Sequence, residues 1–203
     1  TNFKHILMKW IVITPPQFLP NEATFINLMF THGLDVLHLR KPHASATDCE
    51  QLLQQIDSQW LPQVVVHDHF DLCRQYGLMG VHLNQRNPQP PIQHQGSISR
   101  SCHSLSEVKQ YSATCQYVTL SPIFNSISKQ GYQAAFSQQA LTEATQQGIV
   151  NDKVIALGGI SLDNIAIIKQ YGFGGAALLG DVWQRINDKN IDRYLCKLRQ
   201  ALI

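Results

Sequence analysis

Eight short apolar runs recur along this chain, and most are separated by a segment with helical spacing. They are KWIVIT (9–14), VLHL (36–39), VVV (64–66), GVHL (80–83), SISRSC (97–102), YVTL (117–120), VIAL (154–157) and AALL (176–179). Strand and helix in alternation make a parallel sheet, and a count of eight allows that sheet to close on itself. The expected architecture is α/β, a single (β/α)8 TIM barrel over residues 1–203, with 1–8 as an N-terminal extension. Helices are expected at 22–31, 47–60, 71–76, 105–110, 137–147, behind Ser161, in VWQRIN (182–187), and from Ile191 onward. Between the fourth and fifth strands Pro88, Pro90 and Pro91 argue for an irregular loop instead. No GxGxxG follows the first strand, which speaks against a dinucleotide fold.

The last two strands carry the most specific local signal. Gly158-Gly159 ends one run, Gly174-Gly175 opens the next and Gly180-Asp181 ends it. Glycine turns at the C-terminal ends of neighbouring barrel strands leave backbone N–H groups uncovered, and a following helix adds positive dipole character. That is a pocket for a phosphate dianion, where the closing strands of such barrels often hold one. Ser161 is placed as the N-cap of the helix after the first turn. Asp181 is read as a cap for the next helix, since a second anion would repel phosphate.

Composition narrows the function classes. A formal charge of +2, from 16 basic and 14 acidic residues, shows no polyanion-binding excess, so no nucleic-acid partner is expected. No apolar run approaches a membrane span, and residues 6–8 are too short an apolar core for a signal peptide. Five cysteines without paired spacing suit reduced thiols and a cytoplasmic location.

In a closed parallel barrel the C-terminal strand ends converge on one mouth. Those ends supply His38, Arg40, Lys41, His67, Asp68, Asn84, Asn87, Ser101, His103, Ser126, Ser128 and Lys129. Cationic, hydroxylic and imidazole groups suit a phosphorylated small molecule and proton transfer near neutral pH. Four consecutive strands carry His38, His67, His82 and His103, which raises a metal question. No HxH lies on one strand before a turn, so a metal site built from these histidines is not expected, and His82 is read as facing into the barrel or its wall.

From about Trp10 to Trp183 the chain resembles the family of thiamin phosphate synthase and its relative, the thiazole tautomerase. His38-Leu39-Arg40-Lys41-Pro42 lies where the synthases have a Gln-Leu-Arg-Glu-Lys segment that holds a pyrimidine diphosphate. Val66-His67-Asp68 resembles Ile-Asn-Asp, and residues 80–85 (GVHLNQ) resemble Gly-Val-His-Leu-Gly-Gln. Residues 99–104 are similar to Gly-x-Ser-x-His-Ser. Ser121-Pro122, with Ser126, Ser128 and Lys129, is similar to a Gly-Pro-x-x-x-Thr-x-Thr-Lys loop. Residues 156–160 and 175–180 match the thiazole phosphate site.

The resemblance implies phosphate on Gly158, Gly159, Leu179 and Gly180, closure by Lys129, Ser126 and Ser128, and His103 as acid/base. It also implies substrate contacts from His38, Arg40, Lys41, His67 and Ser101, and a homodimer. Two aspartates hold Mg²⁺ in the synthases. Asp68 matches the first, and Asn87 stands in place of the second.

A missing carboxylate leaves a departing diphosphate less neutralised, an effect on the order of 10²-fold per group. The leading expectation is therefore a thiazole tautomerase that needs no cofactor, an isomerase aromatising a thiazole carboxylate phosphate. The alternative is thiamin phosphate synthase, a transferase joining pyrimidine diphosphate to thiazole phosphate with Mg²⁺ on Asp68. A further alternative is a non-catalytic binder of thiazole or thiamin phosphates.

Overall fold

The computed structural model describes residues 7–125 and 135–203. Its strands are β1 (Lys9–Ile13), β2 (Val36–Leu39), β3 (Val64–Val66), β4 (Gly80–Leu83), β5 (Ser97–Cys102), β6 (Tyr117–Leu120), β7 (Val154–Leu157) and β8 (Gly175–Leu178). All pair in parallel with their sequence neighbours, and β1 meets β8 through Lys9 opposite Gly175 and Val12 opposite Leu178. The sheet is a closed eight-stranded barrel, as expected.

Side-chain alternation divides each strand between two environments. Trp10, Val12, Leu37, Leu39, Val81, Val118, Ala156 and Leu178 pack outward into the core beneath the helices. Ile11, Ile13, Val36, Val65, Tyr117, Ile155 and Ala177 cluster separately, on the inward parity of their strands. Parallel strands buried on both faces read as continuous apolar runs, which is why short stretches such as VVV sufficed to find them.

The helices are α1 (Glu22–Thr31), α2 (Ala46–Leu53), α3 (Asp71–Gln75), α4 (Leu105–Tyr111), α5 (Gln138–Gln146), α6 (Ile165–Gln170), α7 (Gly180–Trp183) and α8 (Ile191–Leu202). No helix links β4 to β5, as the prolines require. Ser45, Ser104 and Ser137 cap α2, α4 and α5 through their hydroxyls. The final helix, α8, buries Tyr194, Leu195, Leu198 and Leu202.

Three expectations about helices are corrected. The helix expected over 47–60 is two pieces, α2 and a 3₁₀ turn at Ser58–Gln63. The Asn27 side chain bonds the Gln55 carbonyl (3.2 Å) and the Asp57 N–H (2.9 Å), and Pro62 removes a donor further on. Ser161 is not an N-cap, because α6 starts only at Ile165. Nor does Asp181 cap a helix: it lies inside α7, behind Leu179.

Candidate active site

The barrel mouth has two unlike sides. On the β7–β8 side, Gly158 and Gly159 take left-handed φ values of 94° and 65°. A Cβ on Gly159 would stand 2.3 Å from the Asn125 carbonyl oxygen, and one on Gly158 2.8 Å from Pro122 Cα. The pair is therefore required both for the turn and for the approach of the β6–α5 loop. The two glycine carbonyls accept from Phe124 N–H (3.0 Å) and Asn164 Nδ2 (2.8 Å). Their N–H groups meet no backbone acceptor among the described residues.

Asp181 braces this turn from behind. Its side chain is 6% exposed, and the carboxylate accepts from Leu162 N–H (3.0 Å), Tyr194 Oη (2.8 Å) and Arg185 Nη2 (3.1 Å). It ties the loop after β7 to α7 and α8, and a carboxylate so fully engaged has no need of a cap. Asn164 and Asp181 are the supports that sequence reasoning missed. The signal available for Asn164 was its position directly ahead of the apolar run of α6.

On the β2–β4 side the donors are side chains. Asp68 receives a two-pronged contact from Arg86, Nε at 3.1 Å and Nη2 at 3.0 Å, and a third bond from Asn87 Nδ2 at 2.9 Å. Asn87 also donates to the His67 carbonyl (2.9 Å), as does Asn84 (3.0 Å). Arg40 sits half-buried beside them, its N–H on Thr14 Oγ1 at 2.9 Å.

Lys41 does not face the mouth as a phosphate donor. Its ammonium is buried against Glu22 (2.6 and 2.9 Å) and the Gln17 carbonyl (2.7 Å), with the Phe18 ring 4.5 Å away. Burial lowers the Lys41 ammonium from its usual range, and the Glu22 carboxylate opposes that shift. A buried glutamate in α1 thus consumes the charge that the sequence offered to substrate.

His103 is exposed on the rim, Nδ1 lying 3.2 Å from both the Ser121 hydroxyl and the Ser121 carbonyl. Its backbone N–H bonds Glu107 Oε2. His38, expected as a substrate contact, is completely buried below the mouth. Its Nε2 is 2.6 Å from Tyr117 Oη and its Nδ1 2.9 Å from His67 Nε2. Ser101 Oγ is engaged with His82 Nε2 at 2.9 Å. Ser126, Ser128 and Lys129 lie outside the described residues.

This geometry places a left-handed glycine turn and an arginine–aspartate pair on two sides of one barrel mouth. The thiamine monophosphate synthase family profile (TMP-TENI) matches residues 10–182. The chain belongs to that family. A solved thiamine phosphate pyrophosphorylase from Bacteroides thetaiotaomicron superposes with TM-score 0.86 at 41% identity, covering 96% of this chain and 97% of that one. A second, from Pyrococcus furiosus, gives 0.77 at 19% identity over 98% and 96%, and supports the fold alone.

Two thiamine-phosphate synthases are similar over part of the chain. That of Latilactobacillus sakei is 29% identical over 143 residues, and that of Lysinibacillus sphaericus 30% over 139. These matches cover 67% and 66% of this chain and span 62% and 63% of the length of the relatives.

The likeness to the two synthases and to the Bacteroides structure overturns the tautomerase expectation and the preference for an isomerase. That expectation weighed the exchange of one aspartate for Asn87 too heavily. Among the described residues of this family member, no helix is long and apolar enough to cross a membrane.

Proposed function

We propose that this chain is a thiamine-phosphate synthase, joining a pyrimidine diphosphate to a thiazole phosphate with release of diphosphate. The observation that carries this reading is the 41% identity, over nearly the full length of both chains, to a thiamine phosphate pyrophosphorylase. In the bond change, the thiazole nitrogen forms a bond to the pyrimidine methylene carbon. The bond from that carbon to the diphosphate oxygen breaks.

The thiazole phosphate is assigned to the backbone turns at Gly158-Gly159 and Leu179-Gly180. Fixed backbone donors there hold the nucleophile without any side chain reorganising. The diphosphate is assigned to the β2–β4 side, with Arg40 and Arg86 as its guanidinium donors. Lys129, Ser126 and Ser128 are assigned to closing over the substrates, and His103 and Ser101 to the rim on the β5 side.

The donor set fits Mg²⁺ with one carboxylate. Mg²⁺ is commonly held by one or two carboxylates together with substrate phosphates and water. Asp68 supplies the carboxylate, and Asn87, in contact with it at 2.9 Å, supplies an amide oxygen once the side chain turns. Bound there, Mg²⁺ would neutralise the diphosphate as it leaves. Arg86, released from Asp68, would be free to meet the same anion.

The test is coupling of the two substrates across a Mg²⁺ titration. Formation of thiamin phosphate that rises with Mg²⁺ is expected. Absence of coupling at every Mg²⁺ concentration would overturn the proposal.

A further inference from the structure

Below the mouth, β2, β3 and β4 direct three histidines to one point inside the barrel. The ring centroids are 5.0 Å apart for His38–His67, 4.9 Å for His38–His82 and 4.3 Å for His67–His82. One ring nitrogen from each lies within 4.8 Å of the others, and all three side chains are buried. Elsewhere the barrel interior is filled by Ile11, Ile13, Ile155 and Ala177. Three imidazoles are a costly filling for an apolar space unless each nitrogen has a use.

The hydrogen bonds suggest that use. The Ser99 hydroxyl points to the Val81 carbonyl at 3.3 Å, so its oxygen accepts from His82 Nδ1–H at 2.8 Å. The Nε2 lone pair of His82 then accepts from the Ser101 hydroxyl at 2.9 Å, the one contact a metal would have to displace. His38 has Tyr117 Oη 2.6 Å from Nε2, while Nδ1 faces His67. An imidazole with one nitrogen held by a fixed oxygen and the other turned inward is the outer-shell arrangement of metal-binding histidines.

A second observation is independent of the rings. Among the described residues Thr119 Oγ1 is buried with no hydrogen-bond partner, and Thr119 is the register partner of Ser101. If the Ser101 hydroxyl leaves His82 Nε2, the orphaned Thr119 oxygen is on the neighbouring strand to receive it.

We propose that His38, His67 and His82 form a binding site for a borderline divalent transition-metal ion of the zinc class, separate from the oxygen-donor site at Asp68. Three neutral imidazoles suit zinc, cobalt or nickel and do not suit magnesium, which takes oxygen ligands. Zinc–nitrogen bonds of about 2.0–2.1 Å imply nitrogens roughly 3.3 Å apart in a tetrahedron. The 2.9 Å pair and the 4.8 Å limit bracket that spacing, so modest ring rotations complete the site. Burial supports the protonation state: it pushes His38 down to about 3, and it holds His67 and His82 well below the usual imidazole range. Three protein ligands leave a fourth position, for water.

The test uses the full chain, stripped with chelator and titrated with Zn²⁺ alone and then with Co²⁺ alone. One equivalent bound at micromolar affinity is expected, with the visible spectrum of tetrahedral cobalt. X-ray absorption of the zinc-loaded protein should show three imidazoles and no sulfur. His38→Gln, His67→Gln and His82→Gln should each weaken binding by about 10- to 100-fold or more. Asp68→Asn and Cys196→Ser should leave it unchanged, excluding the mouth carboxylate and the exposed Cys196–His32 contact.

No binding at micromolar metal, a sulfur ligand, fewer than three imidazoles, or undiminished affinity in the histidine variants would overturn the proposal. Should a variant fail to fold, the absorption spectrum of the unaltered protein decides alone.

Discussion

The two sides of the mouth are built on different principles. On the β7–β8 side, glycines with positive φ expose backbone groups, and Asn164 and Asp181 lock the turns from behind. On the β2–β4 side, two charged groups expected to meet substrate have acquired partners within the chain. Asp68 holds Arg86 and Asn87, and Lys41 holds Glu22. A backbone site is insensitive to side-chain exchange because its donors are common to all residues. A side-chain site changes with each substitution, and its charges pair internally when no ligand holds them.

The largest effect expected from this contrast concerns stability. Lys41 and Glu22 form a buried pair with side chains 0% and 2% exposed. Removing one partner of such a pair costs about 3–5 kcal/mol. Lys41→Ala should therefore lower the unfolding free energy in urea by that order. A stable Lys41→Ala protein with weakened diphosphate binding would restore Lys41 as a ligand and break the comparison.

Next in size is Asp68→Ala, which removes the single carboxylate assigned to Mg²⁺. Coupling should fall about 10²- to 10³-fold, the scale of losing one electrostatic contact to a developing anion. Thiazole phosphate affinity, read by calorimetry, should not move. An equal fall in both would show that the two sides act as one unit.

Gly159→Ala carries the reverse expectation. The added Cβ meets the Asn125 carbonyl at 2.3 Å, so the turn must shift. A shift near 1 Å in a positioning element costs about 10²-fold in rate. Here thiazole phosphate binding should weaken, while binding of the diphosphate with Mg²⁺ persists.

The smallest change sharpens the comparison instead of breaking it. Asn87→Asp adds a second carboxylate beside Asp68, and should lower the Mg²⁺ concentration for half-maximal coupling by roughly tenfold. No response to the added charge would place the metal elsewhere.

Much of this protein was legible before its structure. Strand positions followed from apolar runs that are buried on both faces, whereas the one serine read as a helix cap, Ser161, lies ahead of a helix that starts only at Ile165. The positions of Arg40, Asp68, His103 and the glycines at the mouth followed from strand ends alone, because closure of a parallel barrel brings those ends together. One exchange, at Asn87, did not decide between tautomerase and synthase; similarity over the whole chain favoured the synthase.

What the linear order could not show is which charges would find each other. Glu22 lies on α1, 19 residues before Lys41, and its role as counter-ion depends on how that helix seats against the barrel. Tyr117, read only as the start of a strand, meets His38 from 79 residues away. His38, His67 and His82 share the inward parity of three neighbouring strands, but only the stagger of the closed sheet brings their rings to one height. Local patterning determined the elements and their order, since burial on both faces leaves its mark within a few residues. Tertiary structure alone decided the ion pairs and the histidine cluster, since these depend on distances across the barrel that no short stretch of sequence encodes.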